Sequence, residues 1–173
     1  MAAIKLERLT TMEGTKRLHT HFSRHYPWYK QDDYFKRCLH ENIDGSRITL
    51  MAYYEDQLAG CCHLLYDSDY LYFRENRIPE INDLNVFPEF QRKKIATAMF
   101  DELEAVVSES SQYIGVGVGL YKDYGKAQRM YTSRGYVMDG NGLTYMNVSV
   151  TPGKSVLVDD DLIIYLIKDL KSL

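Results

Sequence analysis

Asp83-Leu84-Asn85-Val86-Phe87-Pro88-Glu89-Phe90-Gln91-Arg92-Lys93-Lys94-Ile95-Ala96-Thr97 is the stretch on which the reading of this chain turns. An apolar strand stops at a proline, and a basic turn then opens directly into a helix. A turn of this kind aims unpaired backbone N–H groups and the positive end of a helix dipole at one point. Arg92, Lys93 and Lys94 add side-chain charge to it, so the expected ligand carries phosphate.

The length of 173 residues is close to the commonest domain size, and about 70% of the unfolded surface can be buried at this length. The expectation is therefore a single domain spanning residues 1–173. A hydrophobic fraction of 45% and a charged fraction of 26% argue against disordered and fibrous chains. With 21 basic against 24 acidic residues the net charge is −3, which argues against a general nucleic-acid binder, since that requires a basic surface. Three cysteines, Cys38, Cys61 and Cys62, form no disulfide framework and favour a reducing compartment, so cytoplasm is the expected location. Met1-Ala2-Ala3-Ile4-Lys5 leads into charged residues without an apolar signal core, and no apolar run reaches membrane-helix length.

Periodicity supplies the elements. Ile4 to Leu9 reads as a strand, Met12 to Tyr29 as a helix capped by Thr10 or Thr11, and Asp32 to Glu41 as a second helix closed by Gly45. Arg47 to Tyr54 and Leu58 to Tyr66 form a hairpin around Glu55-Asp56-Gln57, followed by a long polar and aromatic loop, Asp67 to Pro79. Glu80 to Val86 is the next strand, and Gln91 to Ser108 a helix with Ile95, Met99, Leu103, Val106 and Val107 on one stripe. Tyr113 to Leu120 alternates, with Gly115, Gly117 and Gly119 leaving one face without side chains. Gly125 to Arg134 is a short helix stopped by Gly135. A strand from Tyr136, a turn at Asp139-Gly140-Asn141-Gly142, and strands at Leu143 to Val150 and Leu162 to Ile167 complete the chain.

That order, and the residues within it, resemble the GNAT superfamily of acetyl-CoA-dependent N-acetyltransferases. The family's acetyl-CoA motif is Arg or Gln, two variable residues, Gly, one variable residue, then Gly or Ala. Gln91-Arg92-Lys93-Lys94-Ile95-Ala96 matches it at Gln91 and Ala96, with Lys94 at the glycine position. Leu84 to Phe90 is similar to the family's strand-to-proline lead-in. Ala127-Gln128-Arg129-Met130-Tyr131-Thr132-Ser133-Arg134-Gly135-Tyr136 is similar to its second signature, and the pair in order is more specific than either motif alone. The resemblance covers Ile48 to Tyr136 closely and the remainder in element order.

The resemblance implies an α/β, GNAT-like acyl-CoA N-acyltransferase fold, a mixed twisted sheet of six to seven strands flanked by helices. It implies acetyl-CoA as cosubstrate, with the diphosphate on the amides of Arg92, Lys93, Lys94, Ile95, Ala96 and Thr97 beside Gln91. The pantetheine arm would lie along Leu84, Asn85 and Val86, between two splayed parallel strands, with the bare glycine face leaving it space. Tyr124 stands where the family has an asparagine, and Ala127 opens the second signature. Tyr131 matches the tyrosine that protonates the leaving thiolate. Glu80 stands where some members carry a glutamate base, with Asp83 as the rival. In a regular strand these two carboxylates would point to opposite faces.

The acceptor implied is a small-molecule amine or a protein amino group; homodimers are common in the family. Tyr26, Tyr29, Tyr34, Tyr70 and Tyr72 are candidates for an acceptor wall. No Gly-x-x-x-x-Gly-Lys-Ser/Thr or Gly-x-Gly-x-x-Gly segment supports a nucleotide reading. His21 and His25 lie one helical turn apart without a carboxylate pair or cysteine ligand nearby, so no metal is expected. A non-catalytic acyl-CoA-binding module and an interaction protein that keeps the fold are the competing readings.

Overall fold

A computed structural model describes residues 3–29 and 33–171. Eight strands make one mixed sheet in the order β1-β2-β3-β4-β5-β8-β6-β7, with helices flanking it, one strand more than the upper expectation. In chain order the elements are β1 (Ile4–Arg8), α1 (Met12–His25), α2 (Tyr34–Asp44), β2 (Arg47–Tyr54), β3 (Gln57–Leu65), α3 (Leu71–Asn76), β4 (Glu80–Val86), α4 (Ile95–Ser108), β5 (Tyr113–Gly119), α5 (Gly125–Ser133), β6 (Val137–Tyr145), β7 (Val148–Ser149) and β8 (Leu162–Asp169). The chain divides into two compact units, Met1–Leu65 with Asn82–Leu103, and Tyr66–Ile81 with Glu104–Leu173.

In the first unit β1, β2 and β3 are antiparallel neighbours. Glu55 and Asp56 both hold positive φ, which makes the two-residue turn whose twist matches the flanking strands. Thr11 caps α1 by accepting from the Gly14 amide at 3.1 Å. The helix stops at His25, short of Tyr29, because Pro27 disfavours helical backbone in the residue before it. Asp32, the expected start of α2, lies outside the described residues, and Gly45 closes that helix in the left-handed conformation. Phe22 packs edge-on against Phe35 at 5.0 Å and Phe87 at 5.6 Å, joining α1, α2 and the end of β4 in one buried aromatic group.

Gly60 in β3 is required by close approach. A Cβ there would stand 2.2 Å from the Asn85 carbonyl oxygen and 3.0 Å from the Val86 Cα. One residue earlier, the Ala59 carbonyl accepts from the Phe87 amide at 2.9 Å, which ties down the end of β4.

In the second unit β4 and β5 are parallel, with Glu80 opposite Gly115 and Ile81 opposite Val116. β8 is antiparallel to both β5 and β6 and lies between them. The Asp67 to Pro79 loop contains α3, whose Phe73 joins Tyr70, Ile78 and Tyr165 in a buried cluster. The predicted turn at residues 139–142 does not end a strand. Gly140 and Gly142 adopt positive φ, and β6 runs on through an irregularity between Met138 and Leu143. The chain reverses instead at Met146 and Asn147, two left-handed residues that lead into β7. Glu104 gathers Arg134 at 2.9 Å, Lys168 at 2.7 Å and the Tyr136 hydroxyl at 3.1 Å around one largely buried carboxylate. No helix among the described residues is long and apolar enough to cross a membrane.

Gly60→Ala is expected to destabilise the protein by about 2 kcal/mol or more, because the atom it meets is backbone and cannot rotate away. Thermal unfolding of the variant against the wild type measures this, and an unchanged Tm would contradict the close approach.

Candidate active site

The first unit carries the turn that the sequence singled out. Pro88–Phe90 forms a single 3-10 turn, so α4 begins at Ile95 rather than at Gln91. The Lys94 carbonyl accepts the first helical bond, from the Ala98 amide at 3.0 Å. The amides of Ile95, Ala96 and Thr97 thus have no carbonyl ahead of them within the helix. Arg92 and Lys94 both hold φ of 62°. That is the left-handed region, where glycine is at ease and other L residues lose roughly 1–2 kcal/mol. The glycine position of the family motif therefore keeps the glycine conformation here, with a lysine bearing the strain.

The basic side chains differ in what they do. Lys93 Nζ lies 4.2 Å from the Tyr54 ring centroid and 5.5 Å from that of Phe90, a cation–π seat that draws it onto the protein surface. Arg92 and Lys94 are exposed. Gln91 Nε2 donates to the Val86 carbonyl at 3.4 Å, linking the turn to β4. Leu84, Asn85 and Val86 are half-buried.

β4 is not regular. Asp83 has φ of 49°, so the alternation expected between Glu80 and Asp83 is broken at Asp83 itself. The exposed Asp83 carboxylate accepts from Asn85 Nδ2 at 2.7 Å and from the Tyr34 hydroxyl at 3.4 Å. Crowding by protein raises its pKa above the ordinary value although the side chain keeps solvent contact, and Asn85, Tyr34 and Arg47 act against the rise.

Tyr34 also meets His63 Nε2 at 3.3 Å, and His63 Nδ1 meets Thr49 Oγ1 at 2.8 Å. His63 is fully buried, and its pKa falls to about 3, first through loss of solvent and then through the positive charge of Arg47. Thr49 and His63 escaped the sequence reading. They carry no motif, and inward-facing polar residues in β2 and β3 are visible only once the strands are paired.

In the second unit Glu80 is 4% exposed and accepts a hydrogen bond from Ser68, whose hydroxyl in turn accepts from the Tyr70 amide at 3.0 Å. Tyr131 is buried in α5 with its ring 6.2 Å from that of Tyr136. Gly135 follows with φ of 89°, the left-handed helix stop expected there. Ala127 is half-buried on the same helix.

The bare glycine face of β5 is filled, contrary to expectation. A Cβ on Gly115, Gly117 or Gly119 would run into the ring of Phe73, Tyr165 or Tyr124, at 2.2, 2.9 and 2.3 Å respectively. The glycines seat aromatic rings. Tyr124 is held there while its hydroxyl donates to Asp160 Oδ1 at 2.8 Å.

Of the tyrosines considered for an acceptor wall, Tyr34 reaches Asp83, Tyr29 bonds His19 at 3.1 Å, and Tyr70 stacks on Tyr165 at 3.8 Å. His21 and His25 stack on each other and on Phe87, and His25 Nε2 faces Glu89 Oε1 at 2.8 Å. Among the described residues no group of three or more His, Cys, Asp or Glu could hold a metal ion.

The family model described as "Acetyltransferase (GNAT) family" matches residues 15–136. No curated protein matches the chain. Among solved structures, the microcin C7 self immunity acetyltransferase MccE, in complex with acetyl-CoA and AMP, is 12% identical with a TM-score of 0.70, covering 96% of this chain and 92% of that one. An acetyltransferase from Salmonella typhimurium that modifies the N-terminal serine of ribosomal protein L7/L12 is 11% identical with a TM-score of 0.69, covering 96% and 94%. Spermidine/spermine N-acetyltransferase SpeG from Vibrio cholerae is 15% identical with a TM-score of 0.65, covering 96% and 92%. At these identities the likeness is one of fold.

Lys94→Val, which puts a β-branched residue at φ of 62°, is expected to lower stability by about 1 kcal/mol, while Lys94→Gly keeps or raises it; chemical denaturation separates the two. His63 binds its proton more weakly in the folded state than at its unfolded value of 6.5, so its contribution is intact above pH 6.5 and declines as the pH falls below it. Between pH 8 and pH 5 that loss is about 2 kcal/mol, and His63→Gln should flatten the stability profile by that amount.

Proposed function

Because the chain belongs to the acetyltransferase (GNAT) family, whose members take acetyl-CoA as donor, we propose that it transfers the acetyl group to a primary amine by direct attack within a ternary complex. The observation that carries this reading is the turn after Pro88. It holds glycine-like conformations at Arg92 and Lys94 immediately before the free amides of α4, inside a matched family domain. Anions are favoured at such a helix start by both the amides and the dipole.

In this reading Gln91 and the Arg92 to Thr97 segment receive the diphosphate, with Arg92 and Lys94 adding charge and Lys93 serving the fold. Leu84, Asn85 and Val86 offer the backbone groups for the pantetheine arm, and Tyr124 and Ala127 are assigned to the donor through the second signature. The whole chain, residues 1–173, acts as one catalytic domain, and the cytoplasm is its place of action. The acceptor is a small-molecule amine or a protein amino group. That range is supported by a spermidine/spermine enzyme and a protein N-terminal serine enzyme sharing the fold.

The chemistry needs one base and one acid. A carboxylate of β4, Glu80 or Asp83, takes one proton from the acceptor ammonium and passes it to solvent. The freed nitrogen lone pair forms the C–N bond to the thioester carbonyl carbon, and a backbone amide near Leu84 to Val86 stabilises the oxyanion. The C–S bond then breaks, the sulfur takes its proton from the Tyr131 hydroxyl, and Tyr131 recovers one from the new amide nitrogen.

Calorimetric titration with acetyl-CoA tests the donor, and an absence of binding at millimolar ligand rejects the reading. Thiol release across polyamines, aminoglycosides, amino acids and peptide N-termini, with product mass as readout, tests the transfer. Binding without release on any of them would leave a non-catalytic acyl-CoA-binding module. Tyr131→Phe is expected to lower kcat on the order of 100-fold while the acetyl-CoA Kd stays within about threefold. Equal loss in both would reject the acid role.

A further inference from the structure

The Asp83 carboxylate terminates a chain of hydrogen bonds whose direction can be worked out from its far end. Asn42 Oδ1 accepts from the Thr49 amide at 2.8 Å, while its Nδ2 donates to the Cys38 carbonyl at 2.6 Å and to Thr49 Oγ1 at 2.9 Å. Turning the amide over would set donor against donor at Thr49 and acceptor against acceptor at Cys38, so its orientation is fixed. Thr49 Oγ1 therefore receives a hydrogen from Asn42, and its own hydrogen goes to His63 Nδ1 at 2.8 Å.

With Nδ1 accepting, the buried neutral imidazole must carry its proton on Nε2. Nε2–H faces the Tyr34 oxygen at 3.3 Å and Cys61 Sγ at 3.9 Å. The Tyr34 hydroxyl, with its oxygen occupied by Nε2–H, donates to Asp83 Oδ2 at 3.4 Å, and the Cys38 sulfur is a second, weaker acceptor beside it. Every link donates toward Asp83. The chain begins at an amide with no proton to give up and no alternative orientation, so it conducts no proton and acts only to orient the carboxylate.

Three features make Asp83 the better of the two β4 carboxylates. It is exposed, whereas Glu80 is buried and engaged by Ser68. Its second oxygen is held by Asn85 Nδ2 at 2.7 Å, so both oxygens have a donor while lone pairs remain for an ammonium. And its left-handed backbone, with φ of 49°, takes it out of the regular strand alternation in which Glu80 is buried.

We propose that Asp83 is the carboxylate that takes the acceptor's proton, and that Asn42, Thr49, His63 and Tyr34 are positioning residues forming a one-directional donor chain that holds it. This deepens the acetyltransferase reading and rests on it for the identity of the reaction. The charged and titratable groups around Asp83 in the first unit are Tyr34 and Cys38 of α2, Arg47 of β2, Cys61, Cys62 and His63 of β3, and Tyr26 after α1. Of these, Tyr34 and Arg47 favour the ionised carboxylate.

Nitrogen-15 NMR of the wild-type protein tests the chain without any substrate. His63 is expected as the neutral Nε2–H tautomer between pH 6 and pH 8, and the Nδ1–H tautomer or an imidazolium would overturn the proposal. Carbon-13 titration of the Asp83 carboxyl should show its pKa rising in Tyr34→Phe, by roughly half a unit to one unit, since a donor to the charged form is lost. A fall or no change counts against the chain.

Turnover is read with spermidine, kanamycin and a serine-initiated peptide. Asp83→Asn is expected to lower kcat on the order of 100-fold with acetyl-CoA Kd within about threefold, and Tyr34→Phe about 10-fold with the acid limb of kcat/KM moved to higher pH. Adding Tyr34→Phe to Asp83→Asn should cost nothing further. A further loss of the same size in the double variant, or full activity of Asp83→Asn, would overturn the assignment while leaving acetyl transfer standing. Failure to bind acetyl-CoA would instead remove the acetyltransferase reading, and the base role with it, whatever the NMR shows.

Discussion

The contact between β3 and β4 at Gly60 is the constraint on which the first unit depends. Because no side chain separates Gly60 from the Asn85 carbonyl, the two backbones come close enough for the Phe87 amide to reach the Ala59 carbonyl. That bond sets where β4 ends, and Phe87 is then drawn into the aromatic group around Phe22. Pro88 turns the chain, two left-handed residues complete the reversal, and α4 starts with its free amides where β4 left off. A candidate anion site thus depends on the absence of one methyl group some thirty residues earlier in the chain.

The same strand uses strain differently along its length. At Glu80 and Ile81 it pairs regularly with β5, and the Glu80 side chain is consumed in holding the Ser68 loop. At Asp83 the backbone leaves the β region, and the carboxylate emerges beside Tyr34. Left-handed backbone at Asp83, Arg92 and Lys94 costs stability at each residue. Aspartate tolerates that region better than most, and arginine and lysine do not, which makes Arg92 and Lys94 more telling than Asp83.

Much of this was legible in advance. The hairpin around Glu55-Asp56-Gln57, the stripe of α4, the stop at Gly135 and the turn after Pro88 all follow from spacing and local chemistry, and the structure has them, with Gln57 already in β3. What stayed hidden depends on distant partners. Gly115, Gly117 and Gly119 read as an empty face because the rings that fill it, Phe73, Tyr165 and Tyr124, come from three other segments. The residues 139–142 carry every mark of a hairpin turn, yet pairing with β8 carries β6 through them. The break in β4 alternation could not be read from Asp83 itself, and Tyr34 lies 49 positions away from it.

The placement of β8 has a consequence for how the protein is made. β5 and β6 do not pair with each other; each pairs with β8, which is translated only after α5, β6 and β7. Until β8 leaves the ribosome, two open ladders of unsatisfied amides and carbonyls are on display at once, among them the exposed Val137 and Met138. A nascent chain arrested before Leu162 is therefore a natural client for chaperones, and a message truncated there yields a polypeptide disposed to aggregate rather than a smaller folded domain.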